Sequence, residues 1–238
     1  MFFMLRDGMT FPACTTALLI NLVMYTLATL TIGSLSVLFH FDLFRRMSLF
    51  SRILIVVGWF VMTGLSLLFY MLLRRGEILY RLCDRVMEML GKRKLLSNLT
   101  KKQAKLKKKM AEYQQCSDEI AGHGRMLIRI FIINLLQRLS QIGVTFMIFM
   151  ALGEGFRTSV EGFVVQAFTA LGSNSIPIPG GMGGADYLML DGFGEILGRD
   201  AASIEMLCRG CSFYVCIITS ALIVLAGYFM GRKRSLRK

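Results

Sequence analysis

Four apolar runs constrain this chain more than anything else in it. Cys14 to Phe39 carries no charge and is interrupted only by Ser, Thr, Tyr and Asn21. Ile53 to Leu73 is likewise uncharged. Leu127 to Leu152 is apolar but contains Arg129, Asn134, Gln137, Arg138 and Gln141, and Ser212 to Met230 is the last run. At 1.5 Å per helical residue, each is long enough to cross a hydrocarbon layer of about 30 Å. A bilayer offers backbone amides no water, so such runs must close their hydrogen bonds internally, as helices. The hydrophobic fraction of 55% and mean hydropathy of +0.58 agree. The fold class expected is an all-α polytopic membrane protein. The first run is too long for a signal peptide, has only Arg6 as its basic flank, and is followed by no small-residue cleavage site.

Charge sets the expected orientation. The chain has a net charge of +13, and Arg74 to Lys109 holds thirteen Lys or Arg against Glu77, Asp84 and Glu88. Arg232, Lys233, Arg234, Arg237 and Lys238 form a basic tail. Positive loops stay cytoplasmic, which places both termini inside. The short turn with Arg45, Arg46 and Arg52 then falls on the outer side, against the rule. Three regions are expected: two spans over 1–73, a basic cytoplasmic segment over 74–125, and a membrane core over 126–238. Within the second, residues 77–90 alternate apolar and charged positions at helical spacing, as a surface amphipathic helix does. Nucleic acid is not an expected partner, because stacking aromatics and a recognition module are missing from this segment. Anionic headgroups fit it better.

The membrane core is broken once. Residues 176–186 read Ile-Pro-Ile-Pro-Gly-Gly-Met-Gly-Gly-Ala-Asp. Ser159 to Gly172 and Asp186 to Gly198, on either side, are helix-like but too short to span. They read as two re-entrant half-helices around a Pro/Gly loop, and segments of this kind mark substrate sites in transporters. The glycines Gly180, Gly181, Gly183 and Gly184 permit close backbone approach to a ligand. A helix beginning near Asp186 would turn free N–H groups toward a phosphate; a tight turn between packed helices is the plainer alternative. No Gly-Lys-Ser/Thr follows, so this is not a Walker loop.

Asp186 suits an N-cap, and Arg209, just before the last run, suits snorkelling to the interface. Arg138 is placed near the middle of the third run, on one face with Asn134, Gln141 and Thr145. A charge at that depth costs at least about 2.5 kcal/mol, so it needs a partner or a watery cavity. Asp186 and Glu161 are candidate counter-ions. No catalytic residue, metal site or cofactor is expected. His40 and His123 are the only histidines and lie in different regions, and Cys208-x-x-Cys211 has no second ligand pair.

The 176–186 segment resembles the signature of the lysylphosphatidylglycerol synthase membrane-domain family, Pro-x-Pro-Gly-Gly-x-Gly followed by two residues and usually Glu. Ala151-Leu152-Gly153 and the stretch from Cys208-Arg209 through Tyr214 resemble the family's flanks, and the likeness is strongest over Leu127 to Gly231. Asp186 stands where the family usually has Glu. The family's additional N-terminal spans, with a Gly-Glu-x-x-Arg segment, have no counterpart here, and neither does its soluble lysyltransferase domain. The chain therefore reads as an N-terminally shortened version. The resemblance implies a multi-pass protein of a bacterial plasma membrane that binds and flips an anionic or aminoacylated phospholipid, such as phosphatidylglycerol or lysylphosphatidylglycerol, supporting resistance to cationic peptides. Arg138 and Arg209 would meet the phosphate, and Pro179, Gly180, Gly181, Gly183, Gly184 and Asp186 would form the headgroup cradle. A lysyltransferase and a non-transporting scaffold are the alternatives, and assembly into a homo-oligomer stays open.

Overall fold

The computed structural model describes residues 11–74, 124–174 and 181–235. Every regular element in them is helical. In chain order these are α1 (Phe11–Phe39), α2 (Phe41–Arg46), α3 (Leu49–Arg74), α4 (Gly124–Ala151), α5 (Phe156–Ser173), α6 (Gly184–Leu197), α7 (Ala201–Arg209) and α8 (Val215–Ser235). A 3-10 turn, Gly198–Asp200, leads into α7, and a π-helical turn, Gly210–Tyr214, joins α7 to α8. Four stretches are long and apolar enough to cross a membrane: Ala13–Phe39, Leu49–Met71, Gly124–Ala151 and Ala201–Tyr228. The chain is an all-α polytopic membrane protein. The expected basic segment at 74–125 and Pro177, Pro179 and Gly180 lie outside the described residues, apart from the first and last few positions of that segment.

One boundary differs from expectation. The last span begins at Ala201 rather than Ser212, so Arg209 lies within it and not before it. Glu205 and Arg209 depress the hydropathy of the first turns and hide the span's start. Yet Ala201, Ile204, Glu205, Cys208 and Arg209 are all buried, at the i, i+3, i+4, i+7, i+8 spacing of one helix face. The charges point inward.

The chain divides into two compact units, Met1–Ala28 with Met62–Leu136 and Thr29–Val61 with Gln137–Lys238. In the first, Cys14, Thr16, Val23, Thr26 and Ala28 of α1 are buried. Small residues let helices approach closely where lipid provides no hydrophobic drive. Asn134 Nδ2 donates to Asn21 Oδ1 at 3.1 Å, which explains the one amide in the first apolar run.

The second unit holds the Pro/Gly segment. Its core joins Ile55, Phe149, Val165, Phe168, Leu171, Leu188 and Phe193 from four elements, α3 to α6. α6, at 14 residues, is too short to span, and α5, at 18, is longer than expected but not apolar enough to count among the candidate spans. The C-terminal end of α5 is wedged against two glycines. A Cβ on Gly33 of α1 would fall on the Leu171 side chain, and one on Gly58 of α3 would fall on the Leu171 carbonyl oxygen. Gly58 thus admits backbone-to-backbone contact. Farther along α6, Asp191 Oδ2 accepts from Ser48 N at 2.9 Å, and Tyr187 Oη is 3.1 Å from Ser48 Oγ. The turn between α2 and α3 therefore meets the body of α6. The α5 end meets α3 at residues 55–58, roughly 9–14 Å deeper along the helix.

Candidate functional site

The inner ends of α5 and α6 flank the Pro/Gly segment, and their backbone explains the glycines that the structure describes. Gly181 has φ +62° and Gly183 φ +83°, left-handed values that side chains with a Cβ avoid. Gly181 also packs on Ser173 at the end of α5, where an added Cβ would lie 2.9 Å from the serine Cβ. Gly184 is the first residue of α6. Asp186 closes the turn, its Oδ2 accepting from Gly183 N–H at 2.8 Å. The expected capping role is present.

The same carboxylate does a second job. Asp186 Oδ1 pairs with Arg209 Nε, and Glu205 Oε1 lies 3.3 Å from that nitrogen. Arg209 is about 12 Å along the helix from Ala201, at 1.5 Å per residue, and is 7% exposed. Two carboxylates therefore share one buried guanidinium at membrane depth. Phe213, four residues on, covers the guanidinium with its ring centroid 5.8 Å from Cζ. Arg209 Nη2 is buried and has no hydrogen-bond partner among the described residues. A buried N–H donor left unmet costs about 1–3 kcal/mol, more when charged, so this atom is set for an acceptor.

α5 contributes a stripe that the sequence reading did not single out. Gln166, Thr169 and Ser173, at i, i+3 and i+7, share one helix face. Ser173 Oγ donates to Thr169 O at 2.6 Å. Gln166 Oε1 and Thr169 Oγ1 are buried without partners among the described residues. A hydrophilic line thus runs down α5 to the turn. Glu205 was also missed, although its i, i+4 spacing to Arg209 in an otherwise apolar stretch was a readable sign.

Arg138 is 6% exposed on α4, and its Nη1 donates to Gln141 Oε1 at 2.7 Å. Of its two candidate counter-ions, Asp186 pairs with Arg209 and Glu161 lies 3.6 Å from the solvent-facing Arg157. Arg209, Asp186, Gly181, Gly183 and Gly184 are gathered at one place by α6 and α7. Pro179 and Gly180, their neighbours in sequence, lie outside the described residues.

This turn, with its carboxylate one helical turn into α6, belongs to a pattern that extends beyond the motif. The model of the lysylphosphatidylglycerol synthase transmembrane region matches residues 1–220. The chain belongs to that family. The match takes in the first two spans as well as the core, a wider reach than the motif and its flanks suggest. No match was found among curated proteins or among solved structures. The family places this membrane protein in lysylphosphatidylglycerol metabolism.

The double use of Asp186 makes a prediction. Asp186→Glu, which restores the family's usual residue, should retain the pair with Arg209 and shift the detergent-solubilised melting temperature little. Asp186→Asn removes the charge from both bonds and should cost about 1–3 kcal/mol, read as a lower melting temperature.

Proposed function

We propose that the chain binds the headgroup of an anionic or aminoacylated phospholipid at the Asp186–Glu205–Arg209 cluster and carries it across the bilayer. The observation behind this is a buried guanidinium at membrane depth, with Nη2 open beside a glycine turn. Ionisable groups so placed mark substrate paths, since burying them is costly without a purpose. In this reading Arg209 Nη2 donates to the lipid phosphate. Gly181 and Gly183 let the headgroup approach the backbone, and the α5 stripe replaces water along the way. Relative motion of α5 and α6 opens the cluster to each side in turn. The setting implied is a bacterial plasma membrane with both termini cytoplasmic.

The charge balance favours the aminoacylated lipid of the two. Two carboxylates around one arginine leave a formal charge of −1 when all are ionised. A bare phosphate is repelled by that excess, whereas a headgroup that brings an ammonium supplies it with a counter-ion beside the phosphate–arginine pair.

Vesicles containing the purified full chain test this with two labelled lipids, phosphatidylglycerol and lysylphosphatidylglycerol. The lysyl lipid should cross faster. Glu205→Gln, which brings the cluster to neutrality, should narrow that preference by about tenfold, the effect of about 1.4 kcal/mol. Equal rates for both lipids in the wild type would remove the electrostatic argument, and no protein-dependent movement of either would remove the function.

A further inference from the structure

Away from the charged cluster, an apolar groove of about 470 Å³ opens on the outside of the second unit. Its walls come from α1 (Val37, Leu38), α2 (Phe41, Phe44) and α3 (Val56, Trp59), and Leu171 at the end of α5 forms its floor. The lining is almost wholly hydrocarbon. α1 and α3 are membrane spans, so the medium at its mouth is lipid, not water. Leu38, Phe41 and Val56 are largely exposed on the bare protein.

Basic residues flank its lining in sequence. On α2, Phe41 and Phe44 face the groove, while Arg45 and Arg46 are exposed and outweigh the one exposed carboxylate, Asp42. Arg52 follows on the first turn of α3, and its Nε is buried without a partner among the described residues. These are the three arginines for which the expected topology gives an outer position, against the charge rule. An apolar trough whose lining is interrupted in sequence by three arginines matches the two ends of one molecule. We infer that the groove is a binding site for an anionic phospholipid, its acyl chain lying between α1 and α3 and its phosphate on Arg45, Arg46 and Arg52. The site is separate from the Asp186–Glu205–Arg209 cluster and does not depend on translocation. It also gives the basic turn a role: near a membrane surface each arginine attracts anionic lipid by about 1 kcal/mol, roughly fivefold in local concentration.

The chain carries its own reporter, since Trp59 is its only tryptophan and lines the groove. The full-length protein is reconstituted in phosphatidylcholine vesicles containing a minor fraction of chain-brominated phosphatidylglycerol or, separately, chain-brominated phosphatidylcholine. Bromine quenches tryptophan on contact. The expected result is quenching at least about twofold stronger with the brominated anionic lipid. Arg45→Gln with Arg46→Gln should bring the two lipids to parity, and Val56→Phe, which fills the groove at a lipid-facing position, should reduce quenching by the anionic lipid to the phosphatidylcholine level. Circular dichroism confirms that the variants stay helical. Arg209→Lys should leave the preference intact whatever it does to transport. Equal quenching by both lipids in the wild type, or an anionic preference that survives both the paired Gln substitutions and Val56→Phe, overturns the site.

Discussion

Arg209→Ala should destabilise the protein by about 3–5 kcal/mol and abolish lipid movement, the largest effect expected of any single side chain. The cause is what it leaves behind. Asp186 and Glu205 both face the guanidinium, so removing it strands the buried Glu205 carboxylate and leaves the half-buried Asp186 without its cation. Thermal unfolding in detergent reads the loss, and the double variant Arg209→Ala with Glu205→Gln should recover part of it by removing one of the stranded charges. Arg209→Lys separates charge from shape. Lysine keeps the cation for the carboxylates but lacks the planar fork that pairs with Asp186 while offering a second nitrogen to an acceptor. It should fold, and it should transport poorly.

Gly58→Val should be nearly as damaging, for a reason that has nothing to do with charge. The added Cβ would fall on the Leu171 carbonyl oxygen and against the Gly172 Cα, backbone atoms that cannot turn aside. Overpacking of this kind costs about 1–3 kcal/mol or more, and here it pushes the end of α5 away from α3. The melting temperature should fall, and lipid movement should weaken with it because α5 carries the polar stripe to the glycine turn. Gly64→Ala on the same helix is the control. An added Cβ there meets nothing within 4 Å, so the change should be neutral or slightly stabilising through helix propensity.

The spans were legible because hydrocarbon admits so few solutions. A long uncharged run in lipid has to be a helix, and the first three lie within a few residues of where the sequence puts them. The half-helices were legible for the same reason, read in reverse. Both read as short apolar stretches flanked by breakers, and the observed Phe156–Ser173 and Gly184–Leu197 differ from expectation by three residues or fewer at each end. The start of the last span was not legible. Hydropathy scores Glu205 and Arg209 as costs, whereas in the fold they offset each other and Asp186 completes the set.

For the candidate site, the sequence supplied the parts and withheld the pairings. Asp186 reads as a cap from its position, and it is one, but nothing in one dimension says that its second oxygen meets a side chain 23 residues away. Arg209 reads as an interfacial anchor only while the span is thought to begin after it. The roles of Gly33 and Gly58 are invisible for a different reason. Gly33 is the one glycine of α1 and Gly58 one of two in α3, and only the approach of α5 distinguishes a tight contact from an idle position.

The central claim is that Arg209 holds a lipid headgroup inside the membrane, and one measurement addresses it directly. Labelled lysylphosphatidylglycerol is followed across vesicles bearing equal amounts of folded wild-type or Arg209→Lys protein. The wild type should move the lipid, and the lysine variant should do so at a rate at least about tenfold lower, the loss of one charge-assisted hydrogen bond of about 1.5 kcal/mol. A folded Arg209→Lys protein that moves the lipid as fast as the wild type would contradict it.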